Sequence, residues 1–249
     1  MSGMNDRLRA IALYIEQGET MADIGTDHGF LPLFLREKDI CPKVIMTDIS
    51  DKSLQKAREN AGTQQPCSNV CFRTGSGLSV IGPGEVDTIV IAGMGGLLIT
   101  DILSEDTEKT CSFGKFILQP RSNSGRLRHW LFHNDFCFTG DRLVREGRFI
   151  CEIITASPRS RCTNKDKGWP EPSGEMRAAG SENICWEFPY WLLCSRDPLA
   201  EEFLERKIRS ERKIAGALGN RKSGNDHCID KTEKRIEYLL RLEGKNENR

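Results

Sequence analysis

The chain has 249 residues and balances 36 Lys and Arg against 36 Asp and Glu, so its formal net charge at pH 7 is zero. This length accommodates one full-sized domain and a smaller appendage. The neutral average excludes a global electrostatic field that steers the protein toward nucleic acid, although a local basic patch would be sufficient for binding. A hydrophobic fraction of 38% indicates a soluble protein with a modest core, and no apolar run approaches the length that spans a membrane.

Cysteine and histidine spacing gives poor support for a metal site. The ten cysteines are scattered without a Cys-x-x-Cys pair, and the four histidines do not cluster near them. The N-terminal residues lack the apolar core of a signal peptide. We therefore expect a cytoplasmic protein with reduced thiols, no metal and no membrane contact, and we expect a monomer.

Strands and helices alternate along the first 156 residues. An amphipathic helix begins near Leu8 and ends at Gly18, and further helices are predicted from Phe30 with Pro32 in the first turn, after a cap at Ser50 or Asp51, at 95–103 and at 124–133. The predicted strands cover 20–24, 43–48, 70–74, 86–92, 115–119, 136–144 and 149–156. This alternation predicts a doubly wound α/β domain with a mostly parallel seven-stranded sheet, closed by an antiparallel pair.

The remaining residues change in character. Residues 157–183 are rich in Ser, Arg, Gly and Pro and are predicted to form an exposed or disordered insertion. Residues 186–193 are apolar and aromatic and are expected to pack back on the core of the α/β domain. Apolar residues at helical spacing then predict an antiparallel helical hairpin with a coiled-coil seam. We therefore divide the chain into 1–156, an insertion with an apolar return segment at 157–196, and a hairpin at 197–249.

The turn after the first strand offers carboxylates rather than a phosphate-binding loop. Asp23 and Asp27 flank Gly25 in a G-x-x-x-G turn that ends at Gly29, whereas a dinucleotide pyrophosphate requires G-x-G-x-x-G. Two acids repel a phosphate but can engage the amino and sulfonium ends of S-adenosylmethionine. The alternative is a turn that only caps a helix.

Three further strand ends support a nucleoside cofactor. Asp48 stands where an acid accepts hydrogen bonds from ribose hydroxyls, unless it caps the following helix. Residues 75–77 (Gly-Ser-Gly) can contact an adenine edge or form a plain turn. Residues 92–96 (Ala-Gly-Met-Gly-Gly) can form a platform for a flat ring or pack closely against a helix. No Asn/Asp-Pro-Pro-aromatic motif is present, and a ring nitrogen with its own lone pair requires no base for attack.

These motifs resemble those of the bacterial tRNA (adenine-N1)-methyltransferases of the TrmK type. The resemblance covers residues 7–156 and also the terminal hairpin. It rests on Arg7-Leu8, Ala22-Asp23-Ile24-Gly25-Thr26-Asp27-His28, Leu31-Pro32, Gly75-Ser76-Gly77-Leu78, Ile91-Ala92-Gly93-Met94-Gly95-Gly96, Ile117-Leu118-Gln119-Pro120, Arg128-x-Trp130-Leu131 and Glu152-Ile153-Ile154.

The resemblance implies a Rossmann-like methyltransferase sheet, S-adenosylmethionine as cofactor and methylation of N1 of adenine 22 in tRNA. The implied cofactor-binding residues are Asp23, Gly25, Thr26, Asp27, His28, Asp48, Ile49, Gly75, Ser76, Gly77, Ala92, Gly93 and Met94. The implied catalytic pocket consists of Met94, Gly95, Gln119, Pro120 and Arg121. The family usually has Asn or Asp in place of Ser76, so we expect a weaker adenine contact here.

A tRNA substrate requires phosphate contacts from basic side chains. The candidates are Arg7, Arg126, Arg128, Arg206, Lys207, Arg209, Arg212 and Lys213. A basic run on a long helix is equally consistent with a solvated face. The alternatives to the tRNA enzyme are a methyltransferase for another RNA or a small molecule, and a non-catalytic RNA-binding protein on the same fold. A nicotinamide-dependent oxidoreductase is disfavoured by the missing G-x-G-x-x-G.

Overall fold

The computed structural model describes residues 3–62, 69–162, 170–194, 197–219 and 226–247. The chain forms two compact units, Met1–Glu171 and Pro172–Arg249. No helix among the described residues is both long and apolar enough to cross a membrane, and no group of three potential metal ligands occurs there.

The first unit contains the seven predicted strands. They are β1 Met21–Ile24, β2 Val44–Asp48, β3 Val70–Thr74, β4 Thr88–Met94, β5 Lys115–Pro120, β6 Phe136–Glu146 and β7 Phe149–Pro158. The helices are α1 Asp6–Ala12, α2 Phe30–Glu37, α3 Asp51–Asn60, α4 Gly96–Ser104, α5 Thr107–Thr110 and α6 Ser124–His133, followed by a short 3-10 turn at Arg159–Arg161. Only α5 had no counterpart in the prediction.

The strand order β3-β2-β1-β4-β5-β7-β6 confirms the doubly wound α/β fold. Strands β1 to β5 are parallel to their neighbours, while β7 is antiparallel to both β5 and β6. Because the chain order reverses between β1 and β4, a crevice opens at the carboxyl ends of these two strands. All the predicted cofactor motifs follow strands that end at this edge.

Local sequence explains the bounds of most elements. Ser50 caps α3 by accepting a hydrogen bond from the backbone N–H of Ser53, as one of the two predicted caps. Strand β4 continues two residues beyond its predicted end, because a bulge between Ala92 and Met94 absorbs Gly93. Helix α1 ends at Ala12 rather than at Gly18, although Ile15 beyond it is still buried.

The second unit departs from the predicted domain bounds. The unit begins at Pro172, and its helices are α7 Gly174–Ala178, α8 Ile184–Glu187, α9 Trp191–Cys194, α10 Ala200–Gly219 and α11 Asp226–Glu247. The segment 157–183 is thus not uniformly exposed or irregular, since β7 extends to Pro158 and Met176 of α7 is buried. Residues 163–169 of that segment lie outside the described residues.

The aromatic segment 186–193 belongs to the second unit and not to the catalytic one. Trp186, Phe188 and Trp191 are fully buried, and the Phe188 ring stacks on Phe203 of α10 with 5.3 Å between the ring centroids. Helices α10 and α11 form the predicted hairpin, with Leu204, Ile208, Thr232 and Leu239 buried in its seam. Residues 220–225, between the two helices, lie outside the described residues.

An ion cluster lies inside this second unit. Arg235 of α11 contacts Glu211 of α10 at 2.7 Å and Glu187 of α8 at 2.7 Å, and Lys207 contacts the other oxygen of Glu187 at 2.5 Å. Glu211 is only 6% exposed. Burial alone would lower the pKa of Arg235. The hydrogen bonds and charges of Glu211 and Glu187 outweigh burial and raise that pKa.

One cysteine pair contradicts the prediction of reduced thiols. Cys137 of β6 and Cys162, which follows the 3-10 turn, are joined by a disulfide. The prediction of reduced thiols relied on the lack of a signal peptide and of a membrane-spanning run, and no local motif marks these two cysteines, which are 25 residues apart. Their proximity comes from β6 and β7, whose antiparallel pairing brings Cys137 opposite Ser157.

Candidate active site

The turn after β1 is shaped by glycines at positive φ. Gly25 has φ +77° and Gly29 has φ +67°, a conformation that L side chains rarely adopt. A Cβ atom on Gly25 would lie 2.0 Å from Cε of Met94, whose side chain comes from β4 across the crevice. The backbone N–H groups of Gly25 and Thr26 both donate to the carbonyl of Thr47, each at 2.8 Å. The sequence did not predict that Met94 closes against this turn.

Asp23 is the penultimate residue of β1, and its carboxylate is partly buried. Burial raises the pKa of Asp23 from its ordinary 3.8 to about 6, and the charge of Asp48 adds to this rise. A hydrogen bond from the Thr26 hydroxyl and the charge of Arg7 act in the opposite direction. The ionised form of Asp23 is therefore costly as the site stands, and a cation placed beside it would stabilise that form.

The other acid of the turn is directed differently. Asp27 is exposed and contacts Lys56 of α3 at 2.8 Å and the His28 ring at 3.3 Å. The His28 ring also stacks on Phe30, with 5.1 Å between the ring centroids. The prediction placed Asp27 and His28 on the cofactor loop. The structure places both there but gives Asp27 protein partners that sequence spacing did not reveal.

Asp48 is at the end of β2, two residues beyond Met46, which is the register partner of Asp23 on β1. One of its oxygens accepts a hydrogen bond from the backbone N–H of Ser50 at 2.6 Å. Because Ser50 is the helix cap, the alternative role of Asp48 as that cap is excluded. Its Oδ2 has no hydrogen-bond partner among the described residues, and the adjoining Ile49 side chain is 77% exposed.

The turn after β3 joins the same edge. The N–H of Gly75 donates to the carbonyl of Asp48 at 3.0 Å, which holds the two strand ends together. A Cβ atom on Gly75 would lie 2.2 Å from Val80, and Gly77 has φ +49°. Packing and backbone conformation alone explain both glycines. They are therefore compatible with a plain turn and equally with a turn that contacts an adenine ring. The Ser76 side chain is exposed.

The glycines after β4 have different roles. Gly96 is required by packing, since a Cβ atom there would lie 2.4 Å from the carbonyl oxygen of Asn123. Gly93 has φ +83° and its nearest neighbour would be the Arg121 guanidinium at 3.6 Å, so space remains beside it. The predicted alternative of close packing is thus correct for Gly96 and incorrect for Gly93.

Gln119 of β5 organises the floor of the crevice. Its Oε1 accepts hydrogen bonds from the N–H of Gly93 at 3.1 Å and from Nη1 of Arg7 at 3.0 Å. Its Nε2 donates to the carbonyl of Pro120 at 3.1 Å. The predicted pocket residues Met94, Gln119 and Pro120 therefore lie around the predicted cofactor residue Gly93, and Gln119 itself is buried rather than open to a substrate.

The loop after β5 is held against the start of α4. The N–H of Arg121 donates to the carbonyl of Met94 at 2.8 Å, and the N–H of Gly96 donates to the carbonyl of Ser122 at 2.7 Å. The Arg121 side chain is exposed, and Gly95 precedes the helix as its N-cap. This edge combines an exposed guanidinium with glycine backbone beside the acids of β1 and β2.

Known proteins that resemble this chain in sequence and in structure are methyltransferases. A family model described as a methyltransferase domain matches residues 4–154. The tRNA (adenine(22)-N(1))-methyltransferase of Bacillus subtilis is 33% identical over 158 residues, which are 64% of this chain and just under two thirds, 66%, of that protein. The crystal structure of the B. subtilis m1A22 tRNA methyltransferase TrmK superposes with a TM-score of 0.80 at 25% identity, over 97% of this chain and 99% of that one. The chain belongs to the TrmK-type methyltransferase family. The structure of M. capricolum TrmK in complex with S-adenosyl-homocysteine shares the fold, with a TM-score of 0.75, 22% identity and 96% of both chains covered.

The structure contradicts one predicted RNA contact of this TrmK-type chain, Arg128, and gives a second, Arg7, partners within the protein. Arg128 is fully buried and bonds to Asp141 of β6 and Glu152 of β7, so it cannot reach a phosphate. Arg7 is 14% exposed and is committed to Glu146 through two 3.2 Å bonds from Nε, besides its bond to Gln119. Both arginines instead hold the substrate side of the sheet together.

The other predicted RNA contacts of the TrmK-type chain remain untested. Arg126 lies half-buried on α6. On α10, Arg206 pairs with Glu202 at 2.6 Å, and Lys207 takes part in the Glu187 cluster. Arg206 is exposed, as are Arg209, Arg212 and Lys213, and the helical spacing places the last three on one face.

Proposed function

We propose that this TrmK-type protein transfers the methyl group of S-adenosylmethionine to N1 of an adenine in tRNA, with adenine 22 as the target. The observation that carries the proposal is the pair of acids at neighbouring strand ends, Asp23 and Asp48, beside the Gly25 turn. The activity in the name of the B. subtilis relative supports the same substrate.

The residues at the crevice fit a cationic nucleoside cofactor. The Oδ2 of Asp48 is available to ribose hydroxyls, and the exposed Ile49 side chain offers an apolar surface to an adenine ring. The raised pKa of Asp23 means that a positively charged amino or sulfonium group would stabilise its ionised form. A pyrophosphate would meet two carboxylates and would be repelled. When bound, S-adenosylmethionine supplies an electrophilic methyl group on sulfur.

The protein's part in the transfer is orientation. N1 of adenine carries a lone pair, so no side chain has to remove a proton before attack. We assign the floor of the base pocket to Met94, Gly95 and the backbone that Gln119 holds, with Pro120 and Arg121 at its edge. Gln119 acts as a positioning residue, because its carboxamide fixes the Gly93 bulge through a 3.1 Å bond. Arg7 in turn fixes the orientation of that carboxamide.

We assign tRNA binding in part to the second unit, through Arg209, Arg212 and Lys213. We also place the activity in the cytoplasm, where tRNA is modified, and keep a monomeric state as a prediction. Reaching N1 of an adenine in folded tRNA requires the base to be unpaired or flipped, which costs a few kcal/mol. Contacts outside the crevice can compensate for this cost.

The decisive experiment is transfer of tritiated methyl groups to unmodified tRNA transcripts, followed by nucleoside analysis. We expect 1-methyladenosine in a transcript with adenine at position 22 and none in the matched transcript with guanine there. Asp48→Asn should weaken cofactor binding, while Asp39→Asn at an exposed turn serves as the matched control. Methylation at another nucleoside, or equal incorporation into both transcripts, would contradict the proposal.

A further inference from the structure

The hairpin between β6 and β7 reaches beyond the substrate edge of the sheet. Strand β5 pairs with β7 as far as Leu118 opposite Ile154, and β5 ends at Pro120. The β6–β7 ladder continues to the pair Glu146 and Phe149. About three residues of each strand therefore project past the end of β5, which is about 10 Å at the usual rise of a strand.

The tip of this hairpin carries an aromatic ring in an unusual setting. Phe149 is 58% exposed, although a phenylalanine at a strand end is ordinarily packed against a neighbour. The guanidinium carbon of Arg148 lies 5.0 Å from the centroid of the Phe149 ring. Exposed Arg142 and Arg145 lie on the β6 side of the same tip. An aromatic face with adjacent guanidinium groups is typical of surfaces that stack a nucleobase and bind its phosphates.

The tip is also connected to the crevice. Glu146, the last residue of β6, bonds to Arg7, and Arg7 bonds to Gln119, which holds the Gly93 bulge. The only acid in the tip between Arg142 and Phe149 is thus neutralised internally by Arg7. Arg142, Arg145 and Arg148 are exposed on the surface of the tip.

We propose that the β6–β7 tip, residues 142–149, binds the substrate RNA next to the methylation site, with Phe149 stacked on an unpaired nucleobase and Arg148 on a neighbouring phosphate. This inference rests on the proposed function for its substrate. It adds a single-strand contact on the opposite side of the crevice from the cofactor acids, since β4 and β5 separate β1 from β7 in the sheet. A nucleotide offers both a flat base for the Phe149 ring and a phosphate for an exposed guanidinium group.

The test compares four variants in binding to an unmodified tRNA transcript, measured by fluorescence anisotropy over a salt series. Phe149→Leu keeps apolar bulk without a π-face and should raise the Kd about tenfold, within the range for loss of one stacked base. Phe149→Trp should bind as tightly as the parent chain. Arg148→Gln should reduce the slope of log K against log salt by about one unit, whereas Phe149→Leu leaves the slope unchanged.

The matched control is Leu13→Ala. Leu13 is a 74% exposed apolar side chain on the same unit. It lies at the opposite edge of the sheet, where Lys115 at the start of β5 donates to the carbonyl of the adjacent Tyr14. Its substitution should change neither Kd nor salt slope, and calorimetry should give every variant the parent affinity for S-adenosylmethionine.

The binding readout is separate from methyl transfer. A parent chain that binds tRNA without methylating it would refute the proposed function and leave the hairpin inference supported if Phe149→Leu still weakens binding. Equal affinity of Phe149→Leu and the parent chain would overturn the inference, whatever the methylation result. A parent chain that binds no tRNA would overturn it as well.

Discussion

Arg128 is the best place to test how the substrate side of the first unit is stabilised. Its guanidinium donates from Nε to Asp141 at 2.8 Å, and from Nη2 to Asp141 at 2.9 Å and to Glu152 at 2.8 Å. Burial alone would lower the pKa of Arg128, but the two carboxylates outweigh it and raise that pKa. The Ser124 hydroxyl donates to the remaining oxygen of Glu152, so this cluster also anchors the start of α6.

Arg128→Met should destabilise the protein by about 3–5 kcal/mol, the usual cost of leaving buried charges without their partner. Three charge-assisted hydrogen bonds at roughly 1.5 kcal/mol each give a similar figure. The melting temperature should fall by roughly 10 °C for a unit of this size. Urea denaturation followed by circular dichroism measures the free energy directly.

Two controls interpret that result. Arg126→Met, on the same helix but half-buried, should change the free energy of unfolding by less than about 1 kcal/mol. Adding Asp141→Leu and Glu152→Met to Arg128→Met should recover most of the lost stability, because apolar residues of similar volume need no counter-charge. The reasoning is refuted if the free energy of unfolding of Arg128→Met lies within about 1 kcal/mol of that of the parent chain. A loss of tRNA affinity without a loss of stability would instead support Arg128 as an RNA contact.

The cofactor turn and the second unit allow further tests. Gly25→Ala should weaken S-adenosylmethionine binding at least tenfold by calorimetry, because alanine at φ +77° strains the turn and its Cβ displaces the flexible end of the Met94 side chain, a predicted cofactor contact. Gly18→Ala at φ +92° has no atom within 4 Å and should cost only stability, about 1–2 kcal/mol. Equal cofactor affinities of the two variants would contradict the account. The stability of the parent chain should fall as pH rises from about 4 through 6, since folded Asp23 holds its proton to higher pH than the unfolded chain does. Asp23→Asn should remove this fall and gain up to about 3 kcal/mol at pH 8 in guanidinium denaturation, so parallel pH profiles would count against the raised pKa. Deleting 172–249 should preserve cofactor binding and abolish methyl transfer to tRNA, and a truncated chain that still methylates tRNA would remove the second unit from substrate binding.

Much of the α/β domain was predictable, because each strand and helix is indicated by the pattern of apolar residues within its own segment. The bounds of β3 and α6 agree with the prediction, and the acids Asp23 and Asp48 were placed from the ends of their strands. Parallel strands collect their carboxyl ends at one edge, so a strand assignment already brings these residues together. Long-range partners lack such a signal, as with Arg7 and Glu146, which are 139 residues apart.

The sequence did contain a pattern that indicates the burial of Arg128, although Arg128 was predicted to contact RNA. Ser124, Leu127, Arg128 and Leu131 follow the spacing of a buried helical stripe, and all four are buried. Treating every arginine as a surface residue hid the stripe. Its partner Asp141 was harder to place, because a bulge between Phe138 and Gly140 shifts the register of β6 and turns the following residues over.

The charged contact between Glu211 and Arg235 has a consequence for how the two long helices are aligned. Contacts between leucine and isoleucine side chains allow one helix to shift along the other, because a shift of one turn, about 5.4 Å, brings another apolar side chain into the same place. A buried carboxylate does not, since the same slip would leave Glu211 among apolar neighbours without Arg235. The ion pair therefore selects one alignment of α10 against α11. Because the rise per residue of a helix is constant, the basic side chains that follow Glu211 on α10 lie at fixed axial positions relative to α11.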